Sequence, residues 1–434
     1  MRVWWRARYL AYALLSAAIV GCGGGGGGGG TDPVISNLSY DPKAAYVNSG
    51  GGQVTVFGSF LFANADGGVS SVTIDVVDSV GTTVSTTTTP VASNPSHTSG
   101  NIQGQVIAAT STIGAYTVRV TLRDGAGHVS NTLSGSFKIA SQPWIAKAPM
   151  PHPRQFFAAA TSGGLAYVIG GETVGGGSPF PGPHSAVVDV YDPATDTWTD
   201  GIPLPTARTS PAVATVNGLI YVIGGDKQFA GEIAVVEAFD PSTMQWATLT
   251  PMPTPRSGAA AAVINGQICV FGGMNAGQNL ATTECLDPTL NSWSTQPPML
   301  TVRRLLASDA LGAYAYAVGG YDIVNGTNIG GYIKTVERFD IANQTWSSMA
   351  SMLTYRETVG VVAASGLLFA IGGDNTFFRA LDVVEAFDPT IGSWTTKTAM
   401  PVSLARVGAL AIGGLIYVFE QGHTFQYTPG DDVL

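Results

Sequence analysis

The sequence predicts an all-β protein, most of it one unit repeated in tandem. Three observations carry that prediction. Glycine fills 56 of the 434 positions, which suits short strands and tight turns better than helices. Di-glycines recur at Gly170-Gly171, Gly224-Gly225, Gly272-Gly273, Gly319-Gly320 and Gly372-Gly373. Tryptophans recur at Trp144, Trp198, Trp246, Trp293, Trp346 and Trp394, in steps of 54, 48, 47, 53 and 48 residues.

The unit is clearest from Pro253 to Trp293. A small-residue run, Ser257 to Ala262, leads to Gln267-Ile268-Cys269-Val270-Phe271 and a di-glycine. After a loop come Thr283-Glu284-Cys285-Leu286-Asp287 and Ser292-Trp293. A period near 50 with this content resembles the kelch repeat, whose unit is one four-stranded blade of a β-propeller. The resemblance covers residues 144 to 429. It implies a small apolar first strand, as in Phe157 to Ala160, crowding the central axis. The second strand ends in di-glycine, where positive φ or close backbone approach excludes a Cβ. The third carries Val-Asp/Glu-x-Tyr/Phe-Asp, as in Val188 to Asp192 and Val236 to Asp240. The fourth carries the tryptophan, which fills space between blades.

A sixth unit starts after Met400-Pro401. Val407 to Ile412 and Leu415 to Phe419 are its first two strands, with Glu420-Gln421 where di-glycine should stand. Phe425-Gln426-Tyr427 is its third strand, and no tryptophan follows. Trp144 has the opposite lack, since no strands of its own unit precede it. Six residues after a tryptophan stand Met150, Met252, Met299, Met352 and Met400, so Trp144 sits in the same frame as the others. The expected fold over 141–434 is therefore a six-bladed kelch-type β-propeller, closed by Trp144 pairing with the C-terminal three strands.

The N-terminal third reads differently. Arg2, Arg6 and Arg8 precede the apolar run Tyr9 to Val20, a charged segment and a core too short to span a bilayer comfortably. Ile19-Val20-Gly21-Cys22 resembles the bacterial lipobox. The resemblance implies removal of 1–21 and lipidation of the Cys22 sulfur. It also implies a cell-envelope location, and Gly23 rather than aspartate after the cysteine favours the outer membrane, by analogy with enteric sorting. Loss of three arginines and no acid would take the net charge from −9 to −12. Residues 22–32 hold eight glycines in a row, a flexible tether. Residues 33–140 alternate β-rich runs with turns: Gln53 to Phe57, Ser71 to Val77, Tyr116 to Leu122 and Ser134 to Ile139. Gly114-Ala115-Tyr116 resembles the tyrosine corner of immunoglobulin-like domains, so a small β-sandwich acting as a spacer is expected here.

Net charge −9 offers no electrostatic footprint for nucleic acid, and three cysteines are too few for a disulfide-built scaffold. Contact with the membrane is expected through the lipid anchor only. Oligomeric state is not legible. Arg154, Arg208, Arg256, Arg303 and Arg356 each lie sixteen residues before a di-glycine, and Arg406 lies two nearer to Glu420. On a propeller they share one face. They either ring a funnel and grip carboxylates or phosphates, or pair with the repeated acids Asp189, Glu237, Glu284, Glu337 and Glu385. Loops on the same face carry Phe180, Phe229, Tyr321, Tyr332, Phe377 and Phe378, candidates for stacking on a sugar or anchoring a protein.

His152, His184 and His423 fall in loops of blades one and six on that face, near Glu172 and Glu420. They are either a shared metal site or three unrelated surface histidines. Cys269 and Cys285 lie on adjacent strands, either disulfide-bonded or as buried thiols, depending on a register one residue wide. Two enzyme groups share this scaffold. A galactose oxidase centre would need its cysteine in a funnel loop, and both propeller cysteines lie in strands. A sialic acid mutarotase centre would need an acid/base pair beside an arginine, with Glu172 or Glu420 as candidates. No nucleophile elbow, phosphate loop or paired-cysteine motif is present, and no cofactor is expected. The reading that follows is a lipid-anchored envelope protein whose propeller face binds a protein or carbohydrate, with a mutarotase-like enzyme as the alternative.

Overall fold

The computed structural model describes residues 18–20, 32–41, 44–47, 52–91, 98–110, 114–173, 182–322, 331–375 and 379–432. Cys22, Phe180, Phe377 and Phe378 lie outside these described residues. The chain divides at Gln142/Pro143 into two compact units.

In the first unit two sheets share one core. One sheet orders Ala18–Val20, Gly100–Thr110, Gly52–Ala63 and Val34–Asp41. The other orders Ala44–Val47, Leu133–Ser141, Gly114–Asp124, Val69–Val77 and Thr83–Pro90. Alternation puts Val72, Ile74, Val118 and Val120 inward against Ile35, Val56, Phe60 and Ile102. Tyr116 is buried and stacks on Phe137 at 5.5 Å. Thr83–Pro90 was not legible as a strand because it lacks apolar alternation. It is an edge strand, and no residue along it is fully buried.

Among the described residues the second unit contains six four-stranded antiparallel sheets. The first orders Ala158–Ser162, Leu165–Ile169, Val188–Asp192 and Thr197–Asp200 from axis to rim. Four more repeat this order, and their inner strands are Ala212–Val216, Ala260–Ile264, Ala307–Leu311 and Gly360–Ala364. The sixth takes Gly408–Ile412, Leu415–Glu420 and His423–Tyr427 from the C-terminus and Trp144–Ala146 from the start of the unit. Its register is Trp144↔Tyr427, Ile145↔Gln426 and Ala146↔Phe425. Each inner strand neighbours the next, and Gly408–Ile412 neighbours Ala158–Ser162, so the ring closes.

The repeated residues have distinct duties. The aspartate ending each third strand of the first five sheets accepts a backbone N–H two residues on, at 2.8–3.0 Å, and fixes the turn to the outer strand. Each outer-strand indole donates to a carbonyl just beyond the previous sheet's outer strand. Trp198 Nε1 bonds Ala148 O at 2.9 Å, Trp394 bonds Ala350 O at 2.8 Å, and Trp144 bonds Thr398 O at 3.0 Å. Five of these rings pack on the aromatic of their own third strand, as Trp246 on Phe239 at 5.0 Å and Trp144 on Tyr427 at 4.6 Å, while Trp293 stands opposite Leu286. Thus one side chain both fills the wedge and ties neighbouring blades.

Cys269 stands opposite Cys285 in register, and the two sulfurs are bonded. The strands place both cysteines on one face of the sheet, which is the alternative that spacing alone left open.

Trp144 is 4% exposed, so its removal leaves both a void and a broken closure. Trp144→Ala should lower the unfolding free energy of the propeller by about 3–5 kcal/mol, read from denaturant titration. A parent-like midpoint and slope would show that closure does not depend on this strand.

Candidate functional site

Five of the six arginines do not face a funnel. Arg154, Arg208, Arg303 and Arg356 are 0% exposed and Arg256 is 1% exposed. Arg154 donates to Asp189 Oδ2 at 2.6 Å, Gly170 O at 2.8 Å and Val168 O at 3.0 Å. Arg208 pairs with Glu237 and donates to Gly224 O at 3.1 Å and Val235 O at 3.0 Å. Arg303 pairs with Glu337. Arg256 pairs with Glu284, and Arg356 with Glu385, each at 3.0 Å. Burial pulls the Arg256 guanidinium down to about 10, with Glu284 opposing, so it stays charged at neutral pH. A ligand-gripping ring of guanidinium groups is therefore corrected for these five. Each already has an acid and carbonyl partners, and none is open to a ligand.

Arg406 is the exception, because the sixth blade breaks the pattern. Gly373 N donates to Leu404 O at 2.9 Å, where the other di-glycines bond the carbonyl of Arg208, Arg256, Arg303 or Arg356. Leu404 therefore holds the arginine's place and Arg406 stands two positions on. The same position in the other blades is Phe156, Ser210, Gly258, Leu305 and Thr358, all with φ between 51° and 60°. These residues form a chain of backbone hydrogen bonds around the axis. Ser210 N bonds Phe156 O at 2.7 Å, and Gly258, Leu305, Thr358 and Val407 continue it at 2.7–3.2 Å. The chain rims a cavity of about 190 Å³ lined by Phe156, Pro211, Leu305, Thr358 and Arg406.

The Arg406 guanidinium lies 4.5 Å above the Phe156 ring and 3.9 Å from Asp374. Its side chain is 27% exposed. Among the described residues it makes no side-chain hydrogen bond.

An arc of charge and aromatic rings flanks this mouth on blades four to six. Arg304 lies 5.2 Å over Tyr321, and Tyr321 meets Tyr332 edge-on at 5.6 Å. Glu357 and Asp374 share a backbone bridge, and both are buried. Burial, then Asp374, push the Glu357 carboxyl up to about 7, while Arg304 and Arg406 oppose. Glu420 is not an available base. Its carboxylate accepts Ala405 N at 2.8 Å and Arg406 N at 3.2 Å and so shapes the loop carrying Arg406. Glu172 is likewise engaged, by Gln155.

Arg304, Glu357 and Asp374 were missed in the sequence. The available signal was the residue after each repeated arginine, which reads Gln155, Thr209, Ser257, Arg304 and Glu357. Two blades put charge where three put neutral polar groups.

The three histidines do not share an ion site, which corrects that expectation. His152 Nδ1 hydrogen-bonds Asp189 Oδ1 at 2.8 Å. His184 Nδ1 lies 3.8 Å from Asp226. His423 stacks against Phe425 at 5.9 Å. Each loop turns its imidazole toward its own blade or the next. Among the described residues His152, Asp189 and Asp200 do come together. There Asp189 is already consumed by Arg154 and His152.

Residues 157–352 match the model described as KLHDC2/KLHL20/DRC7 Kelch-repeats domain, and residues 356–401 match the Kelch motif. A solved structure titled "Structure of YjhT" is similar at 18% identity and TM-score 0.50, covering 65% of this chain and 94% of that one. At that identity the likeness speaks for the fold alone.

The raised carboxyl has a pH consequence. An ordinary glutamate ionises near 4.5, whereas folded Glu357 keeps its proton to about 7. Between these values only the unfolded chain has lost the proton, so stability falls as pH rises through the window and levels off above it. At 1.36 kcal/mol per unit the loss is at most roughly 3 kcal/mol. Glu357→Gln should flatten this decline in melting temperature against pH. An unchanged profile would mean that Glu357 titrates normally.

Proposed function

We propose that this kelch-repeat chain is a lipid-anchored binding protein of the bacterial cell envelope, and that its di-glycine face takes a carboxylate-bearing ligand on a protein or carbohydrate. One observation carries the reading. Arg406, two positions past the place of the five buried arginines, borders the axial cavity with its guanidinium stacked on Phe156, 3.9 Å from Asp374, and its Nε without a hydrogen-bond partner among the described residues. A guanidinium held flat by an aromatic ring keeps its fork for a carboxylate. Phe156, Pro211 and Leu305 supply an apolar wall for the ligand's body. The blade-to-blade differences along the Arg304–Glu357–Asp374 arc suit selection of one ligand orientation.

A second reading rests on a different observation. Glu357 holds a proton near neutrality beside two arginines, which is what a general acid/base for sugar ring-opening requires. Acceleration of anomer interconversion by the purified chain, lost in Glu357→Gln, would move the assignment to the enzyme class.

The binding reading is tested on arrays of acidic and neutral glycans and peptides, with the full chain in detergent. Acidic probes should be retained, and Arg406→Gln should weaken them roughly tenfold or more, the worth of one charged hydrogen bond. Equal retention of neutral probes, or parent-like binding by the variant, would overturn it.

The anchor rests on Ile19 to Cys22. Cleavage before Cys22 would remove Ala18–Val20, the strand pairing with Asn101 to Gln103, and leave that sheet edge uncovered. Cys22→Ala should abolish labelling by a radioactive fatty acid. Undiminished labelling would sink the lipoprotein reading.

A further inference from the structure

Phe229 is 100% exposed and stands on left-handed backbone, with φ at 65°, at the tip of the hairpin in which Asp226 pairs with Glu232. A bulky side chain in that conformation is strained, and the fold gains nothing from a ring left wholly in water. The two residues before it, Lys227 and Gln228, wall a cavity of about 200 Å³ together with His184 and Thr206.

The wall is an array of hydrogen-bonding groups. Gln228 Oε1 accepts the His184 N–H at 3.4 Å, which leaves the Gln228 Nε2 to donate. The Thr206 hydroxyl donates to Glu237 Oε1 at 2.7 Å and keeps its own lone pairs. The His184 imidazole is 5% exposed, and its Nδ1 has no hydrogen-bond partner among the described residues. The Asp226 carboxylate lies 3.8 Å from that nitrogen and is not in the wall, so the charge bordering the cavity is the Lys227 ammonium.

This wall is tied to the Arg406 mouth. Asp226 exchanges two backbone bonds with Thr209 at 2.8 and 3.0 Å, and beside Thr209 the Ser210 N–H bonds Phe156 O at 2.7 Å. Phe156 carries the Arg406 guanidinium on its ring. Two inter-strand steps of about 4.8 Å separate these backbones, roughly 10 Å in all. A short oligosaccharide covers that span and a single sugar does not. A peptide fits less well. The Asp226 backbone is taken by Thr209 on one side and Glu232 on the other, so no strand edge is open there. Only Pro205 and Ala207 in the wall are apolar, which gives a side-chain anchor no pocket. A sugar ring has one apolar face for Phe229 and hydroxyls for the polar wall.

We propose that blades one and two carry a second subsite, Phe229 with Lys227, Gln228, Thr206 and His184, for the further sugars of an acidic oligosaccharide whose carboxylate Arg406 holds. The inference rests on the Arg406 reading and narrows it to a carbohydrate chain. Phe229 lies against a sugar ring, and Lys227 meets another carboxylate of the chain.

The test is calorimetric titration of the full chain in detergent with oligogalacturonides and hyaluronan fragments, each against its free uronic acid. The oligomers should bind about tenfold more tightly than the free acid. Phe229→Ala should remove most of that gain and Lys227→Met part of it. Both side chains are exposed, so neither change should alter the circular dichroism or the affinity for the free acid. Arg406→Gln should weaken oligomer and free acid alike. Oligomers that bind no tighter than the free acid overturn the subsite, and so does a gain that survives in Phe229→Ala. Acidic peptides that match the oligomers and depend on Phe229 would overturn it in favour of a protein ligand. Parent-like oligomer binding by Arg406→Gln is a separate result, which fails the mouth reading and with it the span from mouth to subsite.

Discussion

The propeller depends on one two-sided clamp, the buried arginine ahead of the inner strand in the first five blades. In blades two to five its carbonyl accepts the N–H of the previous blade's second glycine, as Arg256 O accepts Gly225 N at 2.9 Å, and Arg154 O accepts Gln421 N at 3.3 Å. Its guanidinium reaches into its own blade and binds the acid of the third strand. In Arg208 the same group also bonds the carbonyl of its own blade's first glycine, at 3.1 Å. One residue thus links two blades and orders the turn between second and third strands. Burying an ion pair costs desolvation, which a hydrophobic pair would avoid. What the pair adds is direction, since a guanidinium with carbonyl and carboxylate partners fits one arrangement of strands only.

The di-glycines follow from this clamp. A Cβ on Gly272 would lie 2.5 Å from Arg303 O and 2.9 Å from Met299 Cε, so only a bare Cα lets the next blade's arginine approach. The methionines six residues after the tryptophans cap the same contact, and Leu204 takes that place where methionine is missing. Tryptophan ties the rims of adjacent blades and arginine ties their upper edges.

Functional character arises where the clamp is absent. In the sixth blade Leu404 replaces the arginine and Glu420-Gln421 replaces the glycines. Glu420 then caps the loop through two backbone N–H groups and delivers Arg406 to the axis. The hydrogen-bonded rim runs from Phe156 to Val407, and Arg406 on Phe156 spans the junction between last and first blades. Closure by strands from both ends of the unit therefore coincides with the most distinctive chemistry of the face.

Repetition made the architecture legible. Di-glycine, tryptophan and methionine recur in fixed frames because each answers a steric demand that every blade shares, and Trp144 without its own strands pointed to the closure. The direction of the arginines was not legible, because an arginine in every blade fits a funnel as well as a clamp. Only the packed chain shows the guanidinium folded under the di-glycine toward its acid. Arg406, Glu357 and Asp374 became meaningful through their neighbours on other blades, which no local pattern names. The three histidines were placed on one face by topology, yet side-chain direction gave each its own partner. Sequence determined what every blade has in common; the tertiary structure decided which single-blade departures meet, because those contacts join residues far apart in the chain.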